Sequence, residues 1–181
     1  MSADSTLPRY VIDPVHSHVG FAVRHMMITN VRGEFREYSG EFAYDPARPE
    51  ATEARVSIDL ASINTRDDKR DGHLRSPDFF DVEKHPHMTF QSKRATPRGN
   101  GLDVEGDLTI RGVTRPVTLR VEGITDEAKD PWGNLRRGAT ATTKINRSDF
   151  GITWNTALEA GGVLVADEVK IQIDIEGTRQ A

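Results

Sequence analysis

The residues with chemical potential in this chain are mostly histidines, six in all. His16-x-His18 and His85-x-His87 each have period-two spacing, which could set two imidazoles on one strand face. Such pairs ligate zinc, copper or iron. Three features weigh against a metal centre. No carboxylate stands at a strand-related spacing from either pair. His16 and His18 fall opposite the apolar face of their own strand, so they point outward. His85 and His87 straddle Pro86, which reads as the start of a strand.

His25 differs, because it continues the apolar row Val19, Phe21, Val23. Three roles stay open for it: a core residue hydrogen-bonded to backbone, a polar contact for a ligand head group, or a general base. For the last role no partner nucleophile is evident, since the chain has neither Gly-x-Ser-x-Gly nor Ser-x-x-Lys. Ser17, in phase with the same row, reads as an inner polar contact or as a small residue at a crowded strand start. In Arg147-Ser148-Asp149-Phe150-Gly151, Asp149 and Gly151 carry turn chemistry. Arg147 could stand at a cavity mouth as a contact for an anion or polar head group. Asp67-Asp68 and Asp78/Asp81 read as helix-start charges and solvated faces. Gly99-Asn100-Gly101 reads as a hairpin turn, not a phosphate cradle.

The elements that must position these residues are strands. Val15, Ser17, Val19, Phe21, Val23 and His25 share one face of the segment from Val15 to His25; Val169, Ile171, Ile173 and Ile175 alternate with charged or polar residues near the C-terminus. Similar segments fall near 33–45, 52–60, 87–95, 101–110, 115–124 and 137–147. The total is about eight strands joined by short turns, which is an antiparallel meander. Such a meander closes into a barrel to remove its edges. Its interior is either filled by side chains or able to hold one small ligand. The inward set is Ser17, Val19, Phe21, Val23, Val56, Ile58, Phe90, Leu108, Ile145, Ile171 and Ile173.

Two connections are not strand-like. Across 62–86, Thr65 with Asp68 signals a helix start that Gly72 ends, and Ser76-Pro77 signals a second start. Phe79 and Phe80 on this polar connection are expected to plug one mouth. Trp154 and Leu158, four apart, could share a helical face in a second lid.

Composition bounds the function. The chain has 181 residues, 36% of them hydrophobic, enough for one core. No linker or repeat divides it: residues 1 to about 8 read as a loose tail and 9–181 as one domain. Lys and Arg number 24 against 28 Asp and Glu, a net charge of −4, which argues against nucleic acid as a partner. No apolar run approaches the ~20 residues of a membrane span. The absence of cysteine removes disulfides, thiolate nucleophiles and Cys-zinc or iron–sulfur sites. The first residues have neither a basic n-region nor an apolar h-region, so the expected compartment is the cytoplasm.

Several motifs in order also resemble the YceI-like family. They are Tyr10-Val11-Ile12-Asp13 with His16-Ser17-His18-Val19-Gly20-Phe21-Ala22-Val23-Arg24-His25, then Gly33-Glu34-Phe35 and Gly40. Ser62-Ile63-Asn64-Thr65 follows, with the run Asp71 to Asp81, His85-Pro86 and Phe90. Gly106 to Thr114 and Arg147 to Gly151 close the set. The resemblance covers the chain from about Arg9 to Gly177. It implies an elongated, lipocalin-like, eight-stranded antiparallel barrel whose lumen holds a polyisoprenoid. Family members are described as isoprenoid-binding, often with no assigned reaction, and many are exported to the periplasm. A homodimer follows only by analogy.

The leading expectation is therefore non-catalytic binding or transport of a long apolar lipid, a polyisoprenoid or isoprenoid quinone. That lipid would be a ligand rather than a cofactor, with no metal. Its expected contacts are Ser17, Val19, Phe21, Val23, His25, Ile58, Phe79, Phe80, Phe90, Leu108, Ile145, Arg147 and Trp154. One alternative is a metal- or histidine-dependent enzyme on the same scaffold. Another is a structural domain whose lumen its own side chains fill.

Overall fold

A computed structural model describes residues 6–181. Twelve strands and one α-helix appear among them: β1 (Arg9–Ile12), β2 (His18–His25), β3 (Thr29–Phe35), β4 (Tyr38–Ala43), β5 (Glu53–Asp59), β6 (Ile63–Asn64), α1 (Asp68–Arg75), β7 (His87–Arg98), β8 (Gly101–Ile110), β9 (Val113–Glu122), β10 (Ala128–Lys129), β11 (Leu135–Asn146) and β12 (Val165–Arg179). All strand pairings are antiparallel, and the β11–β12 pair closes the sheet on itself.

The expected eight wall strands are present, three of them in two pieces. β1 and β2 both pair with β12, at Gly177–Arg179 and at Val165–Asp174 respectively. They are two halves of one wall strand. β3 and β4 lie beside β2 and β1, and β6 and β5 lie beside β3 and β4, so the second and third wall strands are split the same way. β7, β8, β9, β11 and β12 complete the meander. β10 pairs only with β11 and stands outside the ring.

Each split leaves ladder groups that need partners, and serine hydroxyls supply them. Ser17 Oγ accepts from Glu176 N at 3.0 Å and donates to Glu176 O at 3.3 Å. Ser62 Oγ accepts from Arg36 N at 3.1 Å and Glu37 N at 3.0 Å. This corrects the inward placement of Ser17. Residues 13–17 are not strand, so the period-two count from Val19 stops at His18. Ser17 is spent on the ladder.

The helix differs in detail from the sequence reading. Asp67, not Thr65, caps α1, its side chain accepting from Arg70 N. Gly72 lies inside the helix. Ser76 ends α1 instead of starting a second helix; its hydroxyl donates to His73 O at 2.6 Å. Thr65 and Asp71 form a buried pair instead: Asp71 Oδ1 accepts from both Thr65 N at 2.9 Å and Thr65 Oγ1, fastening α1 to the end of β6. No helix spans Trp154 and Leu158. One 3-10 turn over Arg147–Phe150 ends at Gly151, φ +75°, and the chain runs on without regular structure.

Of the tail expected over 1–8, residues 1–5 lie outside the described residues. Pro8 is tied down, its carbonyl accepting from Tyr44 N at 3.1 Å. Among the described residues no helix is long and apolar enough to cross a membrane.

Candidate ligand cavity

The inward rows do not fill the barrel. A cavity of about 400 Å³ runs through it, lined by Val19, Phe21 and Val23 from β2, Val56 and Ile58 from β5, Phe90 from β7, Leu108 from β8 and Ile145 from β11. On β12 the lining positions run from Val165 to Ile175. Those ten steps at ~3.3 Å each, on a strand tilted by ~40°, give a lumen roughly 25 Å long.

Two sequence features keep it open. β11 turns only Ala139, Ala141 and Thr143 inward over its middle. On the opposing walls phenylalanine rings lie flat against glycine: a Cβ on Gly33 would stand 2.3 Å from Phe21 Cζ, and one on Gly106 would stand 2.6 Å from Phe90 Cζ.

One end gathers His25, α1 and the two apolar connections. His25 ends β2, half-buried and lining the cavity. Among the described residues its imidazole has no protein hydrogen-bond partner, so the reading of a core histidine bonded to backbone does not hold. Beside it, Met26 (φ +51°) and Met27 (φ +60°) form a hairpin turn closed by Ile28 N on His25 O at 3.0 Å. Met26, Met27 and Ile28 are all exposed.

Phe79, Phe80 and Trp154 also line this end. Trp154 meets the His73 ring edge-on at 4.7 Å and the Phe79 ring at 5.4 Å; Phe80 meets Phe35 at 6.0 Å. His73 is fixed in turn by Asp78 Oδ2, 2.8 Å from Nε2. Arg111 Nη1 donates to Pro77 O at 2.6 Å and Phe79 O at 2.7 Å, tying the aromatic turn to the β8–β9 hairpin.

Arg147 lines the cavity but does not present a free guanidinium. It is 7% exposed and donates to Ala166 O (2.9 Å), Ile152 O (3.1 Å), Trp154 O (2.9 Å) and Val165 O (3.2 Å). Burial pushes its pKa below the ordinary arginine value, against the pull of Asp167. Its hydrogen bonds clamp the lid segment carrying Trp154 to the start of β12, which corrects the expected head-group contact.

The other end is closed by a group the sequence reading passed over. Arg137, 8% exposed, stands two residues before Ala139 and in phase with it. Its guanidinium carbon lies 5.0 Å from the Tyr44 ring centroid and 5.7 Å from that of Tyr10. Nε donates to Tyr10 Oη at 3.1 Å and Nη1 to Thr125 O at 2.6 Å.

The His-x-His pairs lie away from the lumen, and carboxylates reach His16 and His18 from unexpected directions. His18 Nε2 meets Glu34 at 3.0 Å. Ligating atoms of Asp13, His16 and Glu176 come within 4.8 Å of one another. Arg136 already bridges both acids, at 2.7 Å to Asp13 and 3.1 Å to Glu176, so the cluster is an ion-pair network.

Residues 10–177 match the YceI-like domain. The chain belongs to the YceI-like family. A UPF0312 protein of Vibrio cholerae is 40% identical over 146 residues, 79% of this chain and 77% of its own. The crystal structure of Burkholderia cenocepacia BcnA covers 91% of this YceI-like chain and 98% of itself, with a TM-score of 0.79 and 28% identity. A polyisoprenoid binding domain from Saccharophagus degradans, implicated in plant cell wall breakdown, aligns over 97% of this chain and 100% of its own. Its TM-score is 0.67 and its identity 17%, a likeness of fold.

Proposed function

We propose that this YceI-like barrel binds one long apolar lipid, of the polyisoprenoid or isoprenoid quinone type, along its lumen and performs no reaction on it. One observation carries this reading: a single cavity, apolar over its middle, extends from His25 to Arg137 through the whole barrel. A lumen roughly 25 Å long fits a chain of several isoprene units better than a compact ligand. The fold is also that of a domain named for polyisoprenoid binding. The unpartnered imidazole of His25 offers a hydrogen bond to a quinone or hydroxyl oxygen. Buried without a partner, that oxygen costs about 1–3 kcal/mol.

The test is mass spectrometry of an organic extract of the purified protein, with metal analysis of the same sample. A stoichiometric isoprenoid supports the proposal. A tightly held metal without lipid favours an enzyme on this scaffold and contradicts it. An empty extract without metal also contradicts it and favours a purely structural barrel.

A further inference from the structure

The tip of the β2–β3 hairpin exposes three large apolar side chains in a row, Met26, Met27 and Ile28, the last two 64% and 70% exposed. Val163, also exposed, extends the patch, because Met26 N donates to Leu164 O at 2.8 Å and Met27 packs over Gly162. Contiguous exposed apolar surface marks a binding face, which scattered single side chains do not. The backbone points the same way. Met26 and Met27 hold left-handed conformations that would suit Asn-Gly, so methionine is kept there against local strain.

A second feature stands behind the tip, on the outer face of the wall. Lys144 of β11 lies directly opposite Lys170 of β12, Lys170 opposite Ala22 of β2, and Ala22 opposite Arg32 of β3. Arg24 adds a fourth exposed cation closer to the tip. Like charges facing each other across a ladder destabilise a sheet. Among the described residues only Glu168 reaches the band, 3.9 Å from Lys144, and Arg24, Arg32 and Lys170 form no ion pair. The band also runs against the chain's net charge of −4. Folding gives no account of this row, whereas an anionic surface does.

Ala22 and Met26 are four residues apart. At ~3.3 Å per residue on a tilted strand, the band sits roughly 10 Å behind the tip. Apolar groups of a peripheral protein enter a bilayer by about 5–10 Å, which leaves cations at that height among the headgroups.

We propose that this tip and the basic band dock the barrel on an anionic bilayer, with Met27 and Ile28 entering the acyl boundary and Arg24, Arg32, Lys144 and Lys170 meeting lipid phosphates. A nucleic acid would use the cations but not the apolar tip. A second copy would cover the tip but bring two basic bands together. Docked this way, the His25 end of the lumen faces the membrane.

The experiment is co-sedimentation of the purified chain with vesicles of phosphatidylcholine, alone or mixed with phosphatidylglycerol. The chain should bind the mixed vesicles more tightly, and added salt should weaken that binding. Arg32→Ala and Lys170→Ala should each lower affinity for mixed vesicles by about five-fold and leave binding to phosphatidylcholine alone unchanged. Ile28→Ser should lower it by about ten-fold. Met26→Asn with Met27→Gly should weaken docking too, in a barrel whose turn is relaxed. Circular dichroism checks the fold of each variant.

No preference for mixed vesicles would overturn the proposal, as would binding that Ile28→Ser and the methionine pair leave untouched. A dimer formed without vesicles that Ile28→Ser dissociates would assign the tip to a second copy. Duplex DNA bound in place of vesicles would assign the band to nucleic acid. Either result overturns docking. The vesicles contain no isoprenoid, so a chain with an empty lumen still docks, and failure of docking leaves the lumen reading standing.

Discussion

The ring of Phe21 lies across Gly33, its directly opposed partner on the neighbouring strand, where a Cβ would stand 2.3 Å from Cζ and 2.9 Å from Thr65 Cγ2. The glycine lets a large apolar side chain coat the wall instead of crossing the lumen. Gly33→Ala should therefore push the Phe21 ring toward the axis. Overpacking of this kind destabilises by about 1–3 kcal/mol. Denaturant unfolding should show that loss, and affinity for long apolar ligands should fall more than affinity for short ones. Unchanged unfolding and unchanged length preference would show that the ring has other room.

The turn at the His25 end predicts the opposite sign. Two left-handed central positions suit Asn-Gly, yet Met26 and Met27 occupy them. Replacing both, Met26→Asn with Met27→Gly, should stabilise the barrel by about 1 kcal/mol through relief of backbone strain. A lower melting temperature would mean that the packing of Met27 against Gly162 outweighs that strain.

Arg147→Met should be among the most damaging single changes. It removes a guanidinium that donates to four carbonyls, one of which, Val165 O, also accepts from Asn155 Nδ2, in a site 7% exposed. Loss of about 3 kcal/mol is expected from unsatisfied buried acceptors. Because Trp154 hangs on this clamp, its fluorescence should shift toward that of an exposed indole even where the barrel stays folded. His25→Ala should do the reverse, weakening lipid binding modestly with no loss of stability. A collapsed fold in that variant would make His25 a core residue.

Acid should act through Asp13. His16 and then Arg136 hydrogen-bond its carboxylate and hold its pKa down to about 2 from 3.8. A pKa depressed on folding contributes stability that is complete above the unfolded value and lost as pH falls through the folded one. Asp13→Asn should therefore be less stable than wild type at neutral pH, and the gap should narrow between about pH 4 and 2. Thermal unfolding across that range measures it; a constant gap would assign the effect to packing.

The barrel was legible because its walls follow one local rule. Alternation along β12 and along Val19, Phe21 and Val23 identifies the inward face without any knowledge of partners. The splits in the first three wall strands were not legible, since Ser17 and Ser62 become ladder substitutes only when Glu176 and Arg36 arrive from far along the chain. The sequence suggests a mouth residue at Arg147 for the same reason: its acceptors come from a segment that folds back on it. Arg137 was in phase with Ala139 and could have been found. An arginine on an inward row contradicts the apolar pattern, and only the two tyrosine faces and the Thr125 carbonyl make it tolerable there.

The central claim is that an apolar tail threads this lumen, and affinity as a function of prenyl number tests it most directly. Burial contributes roughly 25 cal/mol per Å², offset in part by ordering of the chain, so affinity should rise with each added isoprene unit and level off once the barrel is full. Val19 is buried on the cavity wall, and Ala22 points outward between Arg32 and Lys170. Val19→Trp should bring the plateau to a shorter chain while short ligands still bind, and Ala22→Trp should leave the plateau where it is. Affinities indifferent to prenyl number, or a plateau that Val19→Trp does not move, would contradict the account.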